Sequence, residues 1–141
     1  MVDSRSLDEI SGSIVDSALK VHIALGPGLL ESVYVTVLAR ELGRRGLVAK
    51  QQVPISFEYD GLHFENCFRI DLLVEDKIIV EVKSVDALAA VHFKQILTYL
   101  RLTKMQLGLL INFGGAKLKD GLHRVVNGFT PSAPSRLRLN K

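Results

Sequence analysis

Apolar residues near the start of the chain fall at helical spacing. Leu7, Ile10, Ile14, Ala18, Val21 and Leu25 recur at intervals of three and four, which places them on one face of an amphipathic helix over about residues 7–25. Gly26-Pro27-Gly28 breaks that helix. A second helix is expected from Leu29 to Leu42, with Gly43 and Gly46 ending it and Glu31 in its first turn. The period then falls to two. Val53, Ile55, Phe57 and Tyr59 alternate with Pro54, Ser56 and Glu58, and Asp60-Gly61 is a two-residue hairpin signal. The partner strand starts at Leu62 and continues, bent near Asn66 and Cys67, to Val74. A third strand covers Ile78 to Lys83, and a helix follows over about Ala87 to Leu102. Met105 to Phe113 is apolar enough for a strand buried on both faces. Gly114-Gly115 ends it, and a short helix is expected near Lys119 to Val126. This order predicts an α/β fold, a mixed sheet flanked by helices.

Length and composition narrow the class. The 141 residues make one ordinary domain, read as residues 1–128 followed by a flexible basic tail, 129–141. That tail holds Pro131, Pro134, Arg136, Arg138 and Lys141. Hydrophobic residues are 48% and charged residues 23%, the balance of a globular domain. Cys67 is the single cysteine, so no internal disulfide forms. It is expected to be a packed thiol, and its solitude fits a reducing cytoplasm. No apolar run is long enough to span a membrane, and Met1 to Leu7 lacks the apolar stretch of a signal peptide. A cytoplasmic protein without a membrane partner is therefore expected. The net charge of +3 and pI of about 9.1 permit a phosphate-bearing partner without requiring one.

The most informative stretch runs from Arg69 to Lys83. Strand alternation puts Ile70, Leu72 and Val74 on one face and Arg69, Asp71 and Leu73 on the other. In the next strand Ile79, Glu81 and Lys83 share a face. If Glu75, Asp76 and Lys77 form a three-residue loop, Val74 pairs with Ile78 and, counting outward, Asp71 meets Glu81. Their Cβ atoms would then lie roughly 5 Å apart, with Lys83 one step beyond on the same face. Two like charges so opposed need compensation. A hard divalent cation, Mg²⁺ or Mn²⁺, suits those oxygens, and the backbone carbonyl of Val82 would add another. A lysine beside such an ion positions or deprotonates water, or stabilises charge on a transferring phosphate. The bland alternative is a solvated strand face bearing a Glu–Lys pair. Strongly apolar flanks argue against it, since strands of that kind rarely carry Asp, Glu and Lys on one face without a reason.

Gly28-Leu29-Leu30-Glu31-Ser32-Val33-Tyr34 reads G-x-x-E-x-x-Y, and the chain resembles the GxxExxY protein family over roughly Ser11 to Gly128. The resemblance takes in the Asp71…Glu81-x-Lys83 hairpin and Leu109-Leu110-Ile111-Asn112-Phe113-Gly114. That family is placed in the PD-(D/E)XK nuclease superfamily, so the resemblance implies a restriction-endonuclease-like core. Ile70 stands where the superfamily's name has proline, a variable position. Gln95-Ile96-Leu97-Thr98-Tyr99 is similar to the Q-x-x-x-Y motif of RecB-like nucleases. His92, Gln95 and Tyr99 make a polar stripe beside the apolar Ala89, Phe93, Ile96 and Leu100. The resemblance implies that Gln95 lies near the lysine and phosphate, and that Tyr99 contacts the DNA backbone. Glu31 resembles the helical glutamate used near the metal in that superfamily, although acidic residues also favour helix N-termini on their own account. Tyr34 is expected to pack, and Gly26 and Gly28 to serve the turn. His22, His63 and His123 lack metal-ligand spacing and read as structural.

Together these readings imply a metal-dependent nuclease that hydrolyses phosphodiester bonds of DNA with Mg²⁺ or Mn²⁺. Asp71, Glu81, Lys83, Gln95 and Glu31 are its candidate catalytic residues. Asp71, Glu81, Val82 and Glu31 are its candidate metal ligands, and Tyr99, His92 and Lys94 its candidate substrate contacts. Arg101 and Lys104 would extend the basic surface to further phosphates. The alternative is a non-catalytic nucleic-acid-binding or assembly module on the same fold. With no separate DNA-reading module in the chain, a homodimer or a partner protein is compatible with either.

Overall fold

The computed structural model describes residues 5–128. Helix α1 (Leu7–Leu25) begins at a reciprocal cap. Ser6 Oγ accepts from the Glu9 N–H at 3.1 Å, and Glu9 Oε1 accepts from the Ser6 N–H at 2.9 Å. It stops at Gly26, whose φ of 72° is costly for residues with a Cβ. Helix α2 (Glu31–Arg44) follows, then strands β1 (Ala49–Tyr59), β2 (Leu62–Val74) and β3 (Ile78–Lys83). Helix α3 (Ala90–Thr103) leads to β4 (Leu107–Asn112), a 3-10 turn over Leu118–Gly121, and β5 (Leu122–Val126).

The five strands lie in chain order, β1-β2-β3-β4-β5. Neighbours are antiparallel except β3 and β4, which run parallel because α3 carries the chain across between them. Helices α1 and α2 cover one face, packing Ile10, Ile14, Tyr34 and Leu38 against Leu72, Val80 and Ile111. Helix α3 covers the other, with Ile96 and Leu100 on Leu73, Ile79 and Leu110. Every residue of β4 is buried, as its unbroken apolar run predicts.

Several expectations need correction. Leu122–Val126 is a strand, not the end of a helix. It pairs with β4 from Ile111↔Leu122 to Leu107↔Val126, because an unpaired edge on a buried strand is costly and this segment satisfies it. β1 begins at Ala49, four residues before the alternating run, where Lys50 and Gln51 pair with Leu73 and Leu72. Ala89 precedes α3 and is exposed rather than part of its apolar stripe. Cys67 is exposed, not packed. The last residues, 129–141, where the basic tail was expected, lie outside the described residues.

The alternation of β2 also differs from expectation. Leu72 and Val74 pack toward α1 and α2, but Ile70 and Phe68 pack toward α3. β1 does the same: Ala49 packs on the α1–α2 side, while Val53 and Ile55 pack on the α3 side. Both strands thus change face together between Gln51↔Leu72 and Val53↔Ile70. The residues at the crossover are Gln52 and Asp71. Gln52 has a φ of 51°, outside strand geometry, and this positive φ accompanies the change of face. Beyond the crossover the β1–β2 ribbon leaves the sheet and runs over α3.

Candidate active site

The hairpin turn falls where the three-residue loop predicts. Val74, Leu73 and Leu72 pair with Ile78, Ile79 and Val80. The ladder then stops, and the next residues in register are Asp71 and Glu81. Here side chains replace backbone partners. Glu81 Oε2 accepts from the Asp71 N–H at 2.9 Å, and Asp71 Oδ2 accepts from the Val82 N–H at 2.8 Å. Each carboxylate thus holds the other strand and keeps one oxygen for another purpose.

Burial makes this pair electrostatically strained. Glu81 is only 5% exposed. Its burial, and then the nearby Asp71 charge, push its carboxyl up to about 8. Asp71 is also raised, first by burial and with a contribution from Glu31, against lowering by its Val82 hydrogen bond and by Lys83. Lys83 acts on both carboxylates. It makes no direct ion pair with either among the described residues, so its ammonium is not consumed by them. Tyr99 is raised by burial and then by the charges of Glu81 and Asp71, so α3 brings its phenol toward the same centre. Phe68 stacks on Tyr99 with centroids 4.0 Å apart, which fixes that ring.

Glu31 reaches the site from the other side of the sheet's end. Its charge is felt by both Asp71 and Glu81. Its Oε2 lies 3.4 Å from the Ser84 N–H, and Ser84 Oγ donates to the Leu29 carbonyl at 2.6 Å. The G-x-x-E-x-x-Y segment is therefore tied to the residue that follows Lys83. Tyr34 anchors the same segment from beneath. It is fully buried and stacks on Phe113 at 4.4 Å. Its hydroxyl donates to the Gly26 carbonyl and accepts from the Leu29 N–H.

The remaining candidates stand further out. His92 Nδ1 accepts from the Ala89 N–H at 3.0 Å, so the ring caps α3. Lys94 and Gln95 are exposed on α3. His22 is buried with Nε2 2.9 Å from the Gly115 carbonyl, and His123 packs edge-on to Phe93. His63 is exposed between Glu58 and Glu65.

Two positioning residues escaped the sequence reading. Asn112, next to Lys83 in the parallel ladder, is 4% exposed. Its Oδ1 accepts from the N–H groups of Val85 and Gly114, and its Nδ2 donates to the Val85 carbonyl. It locks the segment after Lys83, and the lock is tight: a Cβ on Gly114 would sit 2.2 Å from the Val85 oxygen. A polar residue ending the apolar run 107–111 was the available signal. Gln52 is the other, opposite Asp71 in register, where its side chain favours the charged form of that carboxyl. Nothing in its own type or spacing marked it.

Among the described residues no three His, Cys, Asp or Glu side chains are already gathered to hold a metal ion. The chemistry of the donors nevertheless fits a hard divalent cation. Asp71 and Glu81 are both raised, first by burial and also by like charge nearby, which a bound cation would offset, and each backbone bond uses only one carboxylate oxygen.

The sequence matches the model of the PD-(D/E)XK nuclease superfamily over residues 8–125. No curated protein matches it. A solved structure, the crystal structure of SSO0001, aligns over 86% of this chain and 79% of its own, at 14% identity and a TM-score of 0.45. No described helix is long and apolar enough to cross a membrane. With a mixed five-stranded sheet between helices and a family match across most of its length, the chain belongs to the PD-(D/E)XK nuclease superfamily, whose members are generally hydrolytic nucleases acting on nucleic acid, usually with divalent metals.

Proposed function

We propose that this chain is a Mg²⁺- or Mn²⁺-dependent nuclease that hydrolyses phosphodiester bonds of DNA, that it acts in the cytoplasm, and that it is a GxxExxY-type member of its superfamily. The observation that carries the reading is the crossed pair of half-buried Asp71 and buried Glu81, both carboxyls raised and Lys83 two residues beyond Glu81. Asp71, Glu81, the Val82 carbonyl and Glu31 would hold the ion. When bound, the ion supplies polarisation of the phosphate and a lowered pKa for water. Lys83 then faces a site whose negative charge is compensated, and acts on the attacking water or on charge developing at phosphorus. Tyr99, fixed by Phe68, orients the strand through its phosphate. Gln95, Lys94 and His92 line the approach along α3, and Arg101 and Lys104 extend its positive charge.

The test is cleavage of a panel of single- and double-stranded DNA and RNA with Mg²⁺ or Mn²⁺, in wild type and Asp71→Ala. Metal-dependent cleavage of DNA that the substitution removes supports the reading; no cleavage of any substrate sinks it. A second reading, a non-catalytic binding or assembly module, draws on the same hydrogen bonds, since both carboxylates already serve the backbone. Equal nucleic-acid affinity in wild type and Asp71→Ala, with cleavage by neither, would favour that module.

A further inference from the structure

Strands β3, β4 and β5 carry one face of the sheet sideways from the catalytic hairpin. Ile79 and Leu110 pack toward α3, and alternation puts Glu81, Lys83 and Asn112 on that face with them. His123, opposite Leu110 in the β4–β5 ladder, shares it. Asn112 is beside Lys83 in the β3–β4 ladder, one strand spacing of about 4.8 Å away. Here the face opens into a hollow of about 410 Å³, lined by Leu88, Phe93 and His123 and by Asp86 and Asp120.

Both acidic positions are set by Asn112, which also lines the hollow. Its two hydrogen bonds to Val85 fix the residue before Asp86. Gly121, which follows Asp120, lies so close that a Cβ there would sit 2.7 Å from the Asn112 carbonyl oxygen. The hollow is thus built into the backbone before any ligand arrives, which lowers the cost of binding.

The lining restricts the occupant. The carboxylates of Asp86 and Asp120 make no hydrogen bond or ion pair among the described residues. Ionised, they only accept, and they repel phosphate. Asp86, Asp120 and His123 are not gathered closely enough to hold a metal ion, so a ligand that bridges them is larger than an ion. Phe93 and His123 stand edge to face, centroids 5.0 Å apart with planes at 75°, and with Leu88 they offer apolar surface to a flat ring. The fitting ligand is planar and rich in donors. In a DNA strand that is a base. Guanine presents adjacent donors, at N1 and N2, on its Watson–Crick edge. Adenine and cytosine set a ring acceptor beside their one amino group, and thymine flanks its N–H with two carbonyls. Those acceptors would face a carboxylate.

We propose that this hollow is a subsite for an unpaired guanine of the strand whose phosphate lies at Lys83, with Asp86 and Asp120 accepting from its Watson–Crick edge and Phe93 packing on its ring. The proposal rests on the reading of this chain as a DNA nuclease. It adds a strand state and a base preference, because that edge is free only where the base is unpaired.

Fluorescence anisotropy on the full chain tests this, with a chelator present so that nothing is cleaved. The probes are short single-stranded oligothymidylates, unsubstituted or carrying one central guanine, hypoxanthine, adenine or cytosine. The guanine probe should bind about tenfold more tightly than the unsubstituted one, the discrimination of one good carboxylate–base contact. Hypoxanthine, which lacks the 2-amino group, should lose most of that gain. Asp86→Asn/Asp120→Asn should bring the guanine and thymine probes within about twofold of each other. A wild type that favours guanine over neither thymine nor hypoxanthine overturns the proposal, and so does a preference that survives in the double variant. Guanine preference without cleavage of any substrate would leave the hollow standing and the nuclease reading fallen. Cleavage with equal affinity for every probe would do the reverse.

Discussion

Near its turn, the β2–β3 hairpin is an ordinary ladder: Leu72, Leu73 and Val74 pair through the backbone with Val80, Ile79 and Ile78, all six buried and apolar. One residue further along, Asp71 and Glu81 hold the strands with side chains, at 2.9 and 2.8 Å. The two ends teach different things about burial. At the apolar end burial supplies stability directly, about 1.5–3 kcal/mol for each large side chain. At the carboxylate end it costs stability, because two acids are held where charge is poorly solvated. That cost is tolerated because the apolar end fixes the register that brings the acids together.

The largest expected contrast is between function and folding. Asp71→Ala or Lys83→Ala should lower metal-dependent cleavage by roughly 10²–10⁴-fold, with thermal unfolding little changed in Lys83→Ala, whereas Asp71→Ala also leaves the buried Val82 N–H without its partner. Leu72→Ala, from the apolar end, should cost about 2–5 kcal/mol of stability by leaving a cavity. It should leave per-molecule activity close to wild type at temperatures where it stays folded. If Leu72→Ala abolishes activity without unfolding, the two ends are not separable.

The next contrast is in pH. Folding raises Glu81 from its ordinary value of 4.5 to about 8. Between those values the folded state holds a proton that the unfolded chain has released. Metal-free stability should therefore fall as pH rises through that interval and level off above about 8, at roughly 1.4 kcal/mol per pH unit where the difference is a full proton. Glu81→Gln removes the dependence, so the metal-free variant should melt higher than wild type at pH 8. Melting curves with a chelator present check this, and a wild type equally stable at pH 5 and pH 8 contradicts it.

Smaller effects belong to residues that hold the carboxylate end. Gln52→Gly keeps the positive φ but deletes the amide opposite Asp71. Metal affinity should fall about tenfold, as for other residues that orient ligands, with little change in melting temperature. Lys94→Ala should reduce the salt dependence of nucleic-acid binding by about one unit of slope and leave cleavage at saturation unchanged.

Much of this was legible in the sequence, for physical reasons. Helical spacing from Leu7 to Leu25 and the run 107–112 leave little choice of element. The Glu75–Lys77 loop fixed the register in which Asp71 meets Glu81, and the order of helices and strands pointed to a mixed sheet between helices. The misses share a cause. Leu122–Val126 is a strand because β4 offers it an edge, a tertiary fact absent from its own residues. The change of face at Gln52 and Asp71 breaks a strict alternation that local pattern assumes. Asn112 acts through the loop it locks, twenty-seven residues earlier in the chain.

Calorimetric titration of Mg²⁺ and of Mn²⁺ into wild type and into Asp71→Ala/Glu81→Ala, near pH 7 in buffers of different ionisation enthalpy, tests the central claim most directly. The account predicts binding to wild type with release of up to about one proton per ion, because Glu81 must give up its proton to bind. It predicts that the double variant loses both the binding and the proton. A wild type that binds neither ion, or a variant that binds as well as wild type, would contradict a metal centre at this hairpin.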